Sequence, residues 1–108
     1  MKLIYIAGPY SASTEKEREE NVHVAMAYGS LIKDTGRATV IPHLSHYVDK
    51  VFPKLYEDWI KIDLEILSRC DELFRIPGAS KGADIEVAFA KKHGIKIYYS
   101  LSEILNLT

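Results

Sequence analysis

Two acidic residues fall on helix faces that the spacing predicts to be apolar. Three and four positions from Asp63 stand Trp59, Ile60, Ile66 and Leu67, and three and four from Glu86 stand Gly82, Ala83, Phe89 and Ala90. On a helix, each carboxylate then points inward. Glu57, Asp58 and Glu65 fall on the polar side with Lys61, and Asp84 and the Lys91-Lys92 pair project elsewhere. A buried carboxyl is unfavourable unless paired or hydrogen-bonded, and desolvation favours its neutral form. Two carboxyls in different surroundings supply an acid and a nucleophile or base. The alternatives are a core hydrogen bond for Asp63 and a helix-dipole role for Glu86, although Glu86 lies about six residues past a Ser80 cap, where the dipole effect has faded.

Glu86 follows Ser80-Lys81-Gly82 at the carboxyl end of an apolar run. A turn leading into a helix exposes backbone N–H groups to an anion, and a hydroxyl beside a glycine that permits close approach suits one phosphate. The same residues also make an ordinary cap and turn.

The elements that carry these groups follow from pattern. Leu3 to Ala7 is apolar without alternation and stops at Gly8-Pro9, as a strand buried on both faces does. Thr14-x-x-Glu17 has capping-box spacing, so a helix begins near Thr14, with Val22, Ala25, Met26, Gly29 and Ile32 as its apolar stripe and Asp34-Thr35-Gly36 as its stop. Ala38-Thr39-Val40-Ile41 reads as a second strand, feeding a loop at 42–46 that carries His43 and His46. A helix over 54–70, a strand over 72–76, a helix over 81–93, a strand over 95–99 and a short helix over 101–107 complete the order βαβαβαβα. That order implies a parallel sheet of four or five strands in a small three-layer α/β sandwich, Rossmann-like or flavodoxin-like, over residues 1–108 as one domain. In such sheets ligands sit at the carboxyl ends of the strands, which nominates the loops at 8–13, 42–46 and 77–82.

The ordered set Ile4-Tyr5-Ile6-Ala7-Gly8-Pro9-Tyr10, then Asp63-Leu64 before Cys70-Asp71-Glu72, then Ser80-Lys81-Gly82-Ala83-Asp84-Ile85-Glu86 resembles the nucleoside 2-deoxyribosyltransferase superfamily, including its 2′-deoxynucleoside 5′-phosphate N-hydrolase branch, over nearly the whole chain. The resemblance implies that Glu86 is the nucleophile at C1′ of the sugar, that Asp63 is the acid serving the departing base, and that Tyr5 orients Glu86. It implies that Ser80 and Gly82 hold a 5′-phosphate, that His43 lies near the nucleobase, and that Gly8, Pro9 and Ser11 lie beside the sugar and phosphate. Members that exchange bases on free nucleosides carry an acid where Ser80 stands, so Ser80 points to a monophosphate. The hydrolase branch has an Arg in its first loop, whereas here residues 9–13 carry no basic group, leaving Lys81 to provide that charge. The resemblance also implies a homodimer or larger homo-oligomer.

Composition narrows the remaining choices. Fourteen Lys plus Arg against fifteen Asp plus Glu give a net charge of −1, so no positive field recommends a nucleic-acid polymer or an anionic membrane surface as partner. No window approaches the ~18 apolar residues of a membrane span, and the opening run is too short for a signal segment. A single cysteine, Cys70, excludes an internal disulfide, and the chain reads as a reduced, cytoplasmic protein. His43-x-x-His46 lacks a third ligand, so neither metal nor other cofactor is expected. Seven Tyr, one Trp and three Phe offer ring surface for a planar ligand, a small nucleotide or nucleoside, or simply fill the core. The leading expectation is N-glycosidic cleavage of a (deoxy)nucleoside 5′-monophosphate. Base exchange, a larger nucleotide as substrate, and a non-catalytic nucleotide sensor are the alternatives; two inward acids would do nothing for a pure binder of an anion.

Overall fold

The run Leu3-Ile4-Tyr5-Ile6-Ala7 has no position suited to water, and it forms the inner strand β1 (Leu3–Ala7) of a computed structural model that describes residues 1–105. Beside it lie β2 (Ala38–Val40) and β3 (Glu72–Arg75), with β4 (Lys96–Tyr98) beyond β3; the order is β2-β1-β3-β4 and every pairing is parallel. Four strands form, and the chain reverses its direction of winding between β1 and β3. Their carboxyl ends therefore flank the natural ligand crevice.

Successive side chains along β1 serve opposite layers, as the two-residue strand period demands. Ile4 and Ile6, with Phe74 and Ile76, pack under Ala25 and Ile32 of α1 (Glu15–Lys33) and Ile104 of α5 (Leu101–Leu105). Ahead of the third strand the chain forms α2 (Ser45–Val51) and α3 (Tyr56–Leu67), and after it α4 (Lys81–Lys92). Tyr5, Ala7 and Leu73 pack with Leu67, Ala83 and Ala90 from α3 and α4 on the opposite face. Each of the large buried side chains, such as Ile4, Ile6, Phe74, Leu67 and Leu73, contributes about 1.5–3 kcal/mol. Among the described residues no helix is long and apolar enough to cross a membrane.

Local chemistry explains the element starts. Thr14 holds an extended backbone and its Oγ1 accepts from Glu17 N–H at 3.1 Å, which begins α1. Ser80 does the same for α4, its Oγ accepting from Ala83 N–H at 3.1 Å. Two expectations are corrected and a third is described only in part. Residues 42–46 are not an open loop: Pro42–Leu44 form a 3₁₀ turn that runs directly into α2. Met26 lies on the exposed side of α1, whose buried stripe is Val22, Ala25, Gly29 and Ile32. Of the last helix, expected over 101–107, the described part Leu101–Leu105 is helical, and 106–107 lie outside the described residues.

Candidate active site

β1 ends at Ala7 and β3 at Arg75, and the segments that follow them open a cleft of about 540 Å³ between α3 and α4. Gly8 marks the exit from β1. A Cβ there would meet Ile76 at 2.7 Å, so only glycine lets the first loop pass so close to the third strand. Across the cleft, Arg75 shapes the other loop. Its guanidinium donates to the carbonyls of Ile76 and Gly78, the latter at 2.9 Å, and bonds Asp84 at 3.2 Å. Gly78 takes φ 121°, a left-handed value that disfavours a side chain, and its Cα packs toward the Pro9 ring.

Glu86 and Asp63 both line this cleft, one from α4 and one from α3. Glu86 is 7% exposed. Its carboxylate accepts a short hydrogen bond from the Tyr5 hydroxyl, which rises from β1 beneath the cleft and is itself fully buried. Burial pushes the Glu86 carboxyl up to about 7; the Tyr5 hydrogen bond opposes this, the Asp63 charge adds to it, and the Arg75 charge opposes it. Asp63 is partly buried, and burial alone pushes it up to about 6. Burial, together with the Glu86 and Asp63 charges, pushes the Tyr5 phenol far upward, so it remains a donor. The Asp63 charge raises Glu86, and between about pH 6 and 7 the pair as a whole carries one proton and one negative charge. One acid and one carboxylate thus coexist near neutrality, beside an opening large enough for a small ligand.

The remaining candidates divide. Gly8, Ser11, His43, Ser80 and Gly82 line the cleft with the acid pair. Ser80 Oγ is engaged as acceptor in the helix cap, which leaves its O–H free to donate, next to the Lys81 and Gly82 N–H groups of the first helical turn. A Cβ on Gly82 would stand 3.5 Å from the Tyr56 hydroxyl across the opening. Pro9 departs from the expectation. It does not line the cleft; its carbonyl accepts from His43 Nε2 at 3.1 Å, and its ring backs the turn at Gly78. His43 is buried, and that burial lowers its basicity; with Nε2 donating to Pro9, Nδ1 is the buried atom left without a partner.

Several cleft residues were given no role by the sequence reasoning. Tyr10, Asp49, Tyr56 and Trp59 line the opening. Asp49 accepts from Trp59 Nε1 at 2.7 Å and from Lys54 N–H at 2.9 Å, bonds that hold its carboxyl below the usual range and tie α2 to α3. The apolar face of 54–70 already contained Trp59; nothing in the spacing linked it to Asp49 or Tyr10. The second histidine of the loop parts from the first. His46 turns to α1 instead of pairing with His43, its Nδ1 2.6 Å from the Tyr10 hydroxyl and its Nε2 3.2 Å from Glu19.

A family described as a domain of unknown function, DUF7768, matches residues 2–100. No curated protein matches the chain. Among solved structures, a 2-deoxyribosyltransferase from the psychrotolerant bacterium Bacillus psychrosaccharolyticus aligns with a TM-score of 0.58 at 21% identity, over 88% of this chain and 69% of its own. A 2-deoxyribosyltransferase from Leishmania mexicana aligns with a TM-score of 0.62 at 22% identity, over 90% of this chain and 62% of its own, so this chain spans less than two thirds of it. At such identities the likeness is one of fold.

Proposed function

Because the chain belongs to the DUF7768 family, whose description names no chemistry, we propose from the cleft itself that the protein is an enzyme cleaving the N-glycosidic bond of a (deoxy)nucleoside 5′-monophosphate. The observation that carries this reading is the buried pair of Glu86 and Asp63, with Tyr5 fixing one oxygen of Glu86. In the form of the pair whose single proton sits on Asp63, the Glu86 carboxylate attacks C1′ as the C1′–N bond breaks, and the base leaves with that proton. The oxocarbenium-like charge built at C1′ is opposed by Glu86, and a glycosyl ester results. Asp63, now a carboxylate, takes a proton from the water that opens the ester. The sum is nucleotide plus water giving free base and sugar phosphate, with both side chains restored. No step calls for a metal or other cofactor.

Ser80 hydroxyl, the Lys81 and Gly82 N–H groups and the Lys81 ammonium form the proposed cradle for the 5′-phosphate, with Ser11 on the facing loop; His43 stands toward the base. A second reading, base exchange, is favoured by one observation: two solved proteins of similar fold are named 2-deoxyribosyltransferases. In that case a second base replaces water at the ester. A homo-oligomer is proposed from the apolar ridge of Val48, Val51, Phe52 and Leu55, which is exposed beside the cleft. The cytoplasm is the proposed compartment, consistent with a lone buried thiol at Cys70.

The test incubates the protein with ribo- and deoxyribonucleoside monophosphates and with the matching nucleosides, and measures free base by chromatography. Release from a monophosphate, abolished in Glu86→Ala, is the expected result. Release only when an acceptor base is added supports exchange, and binding without release in every pairing rejects the enzymatic reading. Ser80→Asp retains a good helix cap but sets a carboxylate against the phosphate. It is expected to lower kcat/KM for the monophosphate by roughly tenfold or more while sparing the nucleoside, on the scale of one repelled charge pair.

A further inference from the structure

Outside the acid pair, α1 and α2 bring three metal-ligating side chains to one point. His46 Nε2 lies 3.2 Å from Glu15 Oε1 and 3.2 Å from Glu19 Oε2, and the ligand atoms of all three residues lie within 4.8 Å of one another. Donor atoms held ~2.0–2.2 Å from a tetrahedral ion stand about 3.3–3.6 Å apart, so these side chains are spaced as if around a common centre. Glu15 and Glu19 are one turn apart on α1, which aims both carboxylates the same way. His46 comes from a different element, is 3% exposed, and has its far nitrogen, Nδ1, held by Tyr10. A histidine oriented through its second nitrogen is the usual support of a metal ligand. The two glutamates are partly exposed and border a surface recess, which leaves an entry path.

We propose that Glu15, Glu19 and His46 bind one divalent transition cation, with Zn²⁺ as the reference ion. One imidazole with two carboxylates suits the first-row transition series; Mg²⁺ and Ca²⁺ take oxygen donors. Glu15 is held at present by the half-exposed Lys50 ammonium, 3.1 Å from Oε1, and by Arg18, 3.3 Å from Oε2. Arg18 occupies the far oxygen of Glu15, so a dication entering between Oε1, Glu19 and His46 displaces Lys50 alone, which swings into water. The ion clips α2 to α1. Once Nε2 ligates through its lone pair, the imidazole proton sits on Nδ1 and is donated to the Tyr10 oxygen. The Tyr10 O–H must then turn to another acceptor, and Tyr10 lines the cleft. The site thereby sets the hydrogen-bonding sense of one cleft residue.

Isothermal titration of the chelator-treated full chain with ZnCl₂, repeated with MgCl₂, tests this. The wild type is expected to take one Zn²⁺ per chain and to prefer it to Mg²⁺, and its melting temperature to rise with zinc. Glu15→Gln and Glu19→Gln each weaken binding tenfold or more, whereas Lys50→Met, which removes the competing cation, tightens it. Loss of fold cannot imitate that tightening. Unchanged affinity in both glutamine variants, no tightening in Lys50→Met, equal affinity for Mg²⁺, or binding abolished by His23→Gln or Cys70→Ser but not by Glu15→Gln overturns the proposal.

Discussion

The sheet carries a buried glutamate at each end, and the two are treated oppositely. At the amino end Glu72, 1% exposed on β3, is bonded by Arg37 Nε at 2.7 Å and by the Tyr98 hydroxyl at 2.9 Å, with Lys2 Nζ at 3.9 Å. Burial pushes its carboxyl up, but those hydrogen bonds and charges more than reverse this and leave it below the usual range. At the carboxyl end Glu86 has a tyrosine and no directly bonded cation, and stays high at about 7. Each glutamate has a tyrosine donor; Glu72 adds the Arg37 guanidinium and the Lys2 ammonium, whereas Glu86 faces the Asp63 charge. A buried carboxylate with its counter-ion is spent on holding strands together, whereas one without it keeps a proton to exchange and a charge to offer a substrate.

Exchanging the two roles is the strongest way to break the comparison. Glu86→Ala is expected to reduce base release by roughly a thousandfold or more, with cooperative folding retained. Glu72→Ala is expected to leave turnover per folded molecule nearly intact and to destabilise the fold by about 2–4 kcal/mol, because it leaves Arg37 without its buried partner. Urea unfolding and single-turnover assays on both variants decide it. A Glu72→Ala protein that is fully folded yet inactive would erase the distinction.

Half of this contrast was legible in the sequence. Glu86 and Asp63 stand out because a helix has a period, and a charge among Gly82, Ala83, Phe89 and Ala90 violates it. Glu72 did not stand out. A short strand buried on both faces has no period for a charge to break, and its partner Arg37 lies 35 residues away. The order of elements along the chain and both capping residues were readable from local chemistry. Residues 42–51 were not: neither helical piece has a side-chain cap, and Val48 and Val51 on α2 face outward, so no apolar stripe announces a helix. The approach of Glu15 and Glu19 to His46 is likewise a product of topology, since α1 and α2 meet only after β2 has crossed back to β1.

Acidity sharpens the comparison next, because the two glutamates carry opposite signs. Glu86 rises from 4.5 to about 7 on folding, so its contribution is full below the unfolded value and is lost as pH rises through about 7. Glu86→Gln, which cannot ionise, should therefore gain on the wild type above pH 7, by up to about 3 kcal/mol. Glu72 is depressed, so its contribution is present above its ordinary value and lost as pH falls through the folded one. Glu72→Gln should accordingly be less stable than wild type at neutrality and converge with it in acid. The activity profile follows the pair: below about pH 6 both Asp63 and Glu86 hold protons and the nucleophile is gone, and above about 7 both are ionised and the acid is gone. Base release peaking between these values is expected. Activity still rising at pH 9 would separate the catalytic groups from these two carboxyls.

The tyrosines give the finest resolution. The Tyr5 hydrogen bond favours the ionised form of Glu86, against the pull of burial. Tyr5→Phe should raise that carboxyl further, move the basic limb of the activity profile to higher pH, and lower release at pH 6.5 about tenfold for each unit of movement, as the form with ionised Glu86 and protonated Asp63 becomes rarer. Tyr98→Phe removes the matching bond at the other end, where Arg37 still holds Glu72, so it should cost about 1 kcal/mol of stability and leave the profile where it was. The same atom is deleted from the same residue type, with a shifted titration at one end of the sheet and a slightly lower melting temperature at the other. A Tyr5→Phe profile superimposable on that of the wild type would mean that Glu86 is not the group whose ionisation governs the reaction.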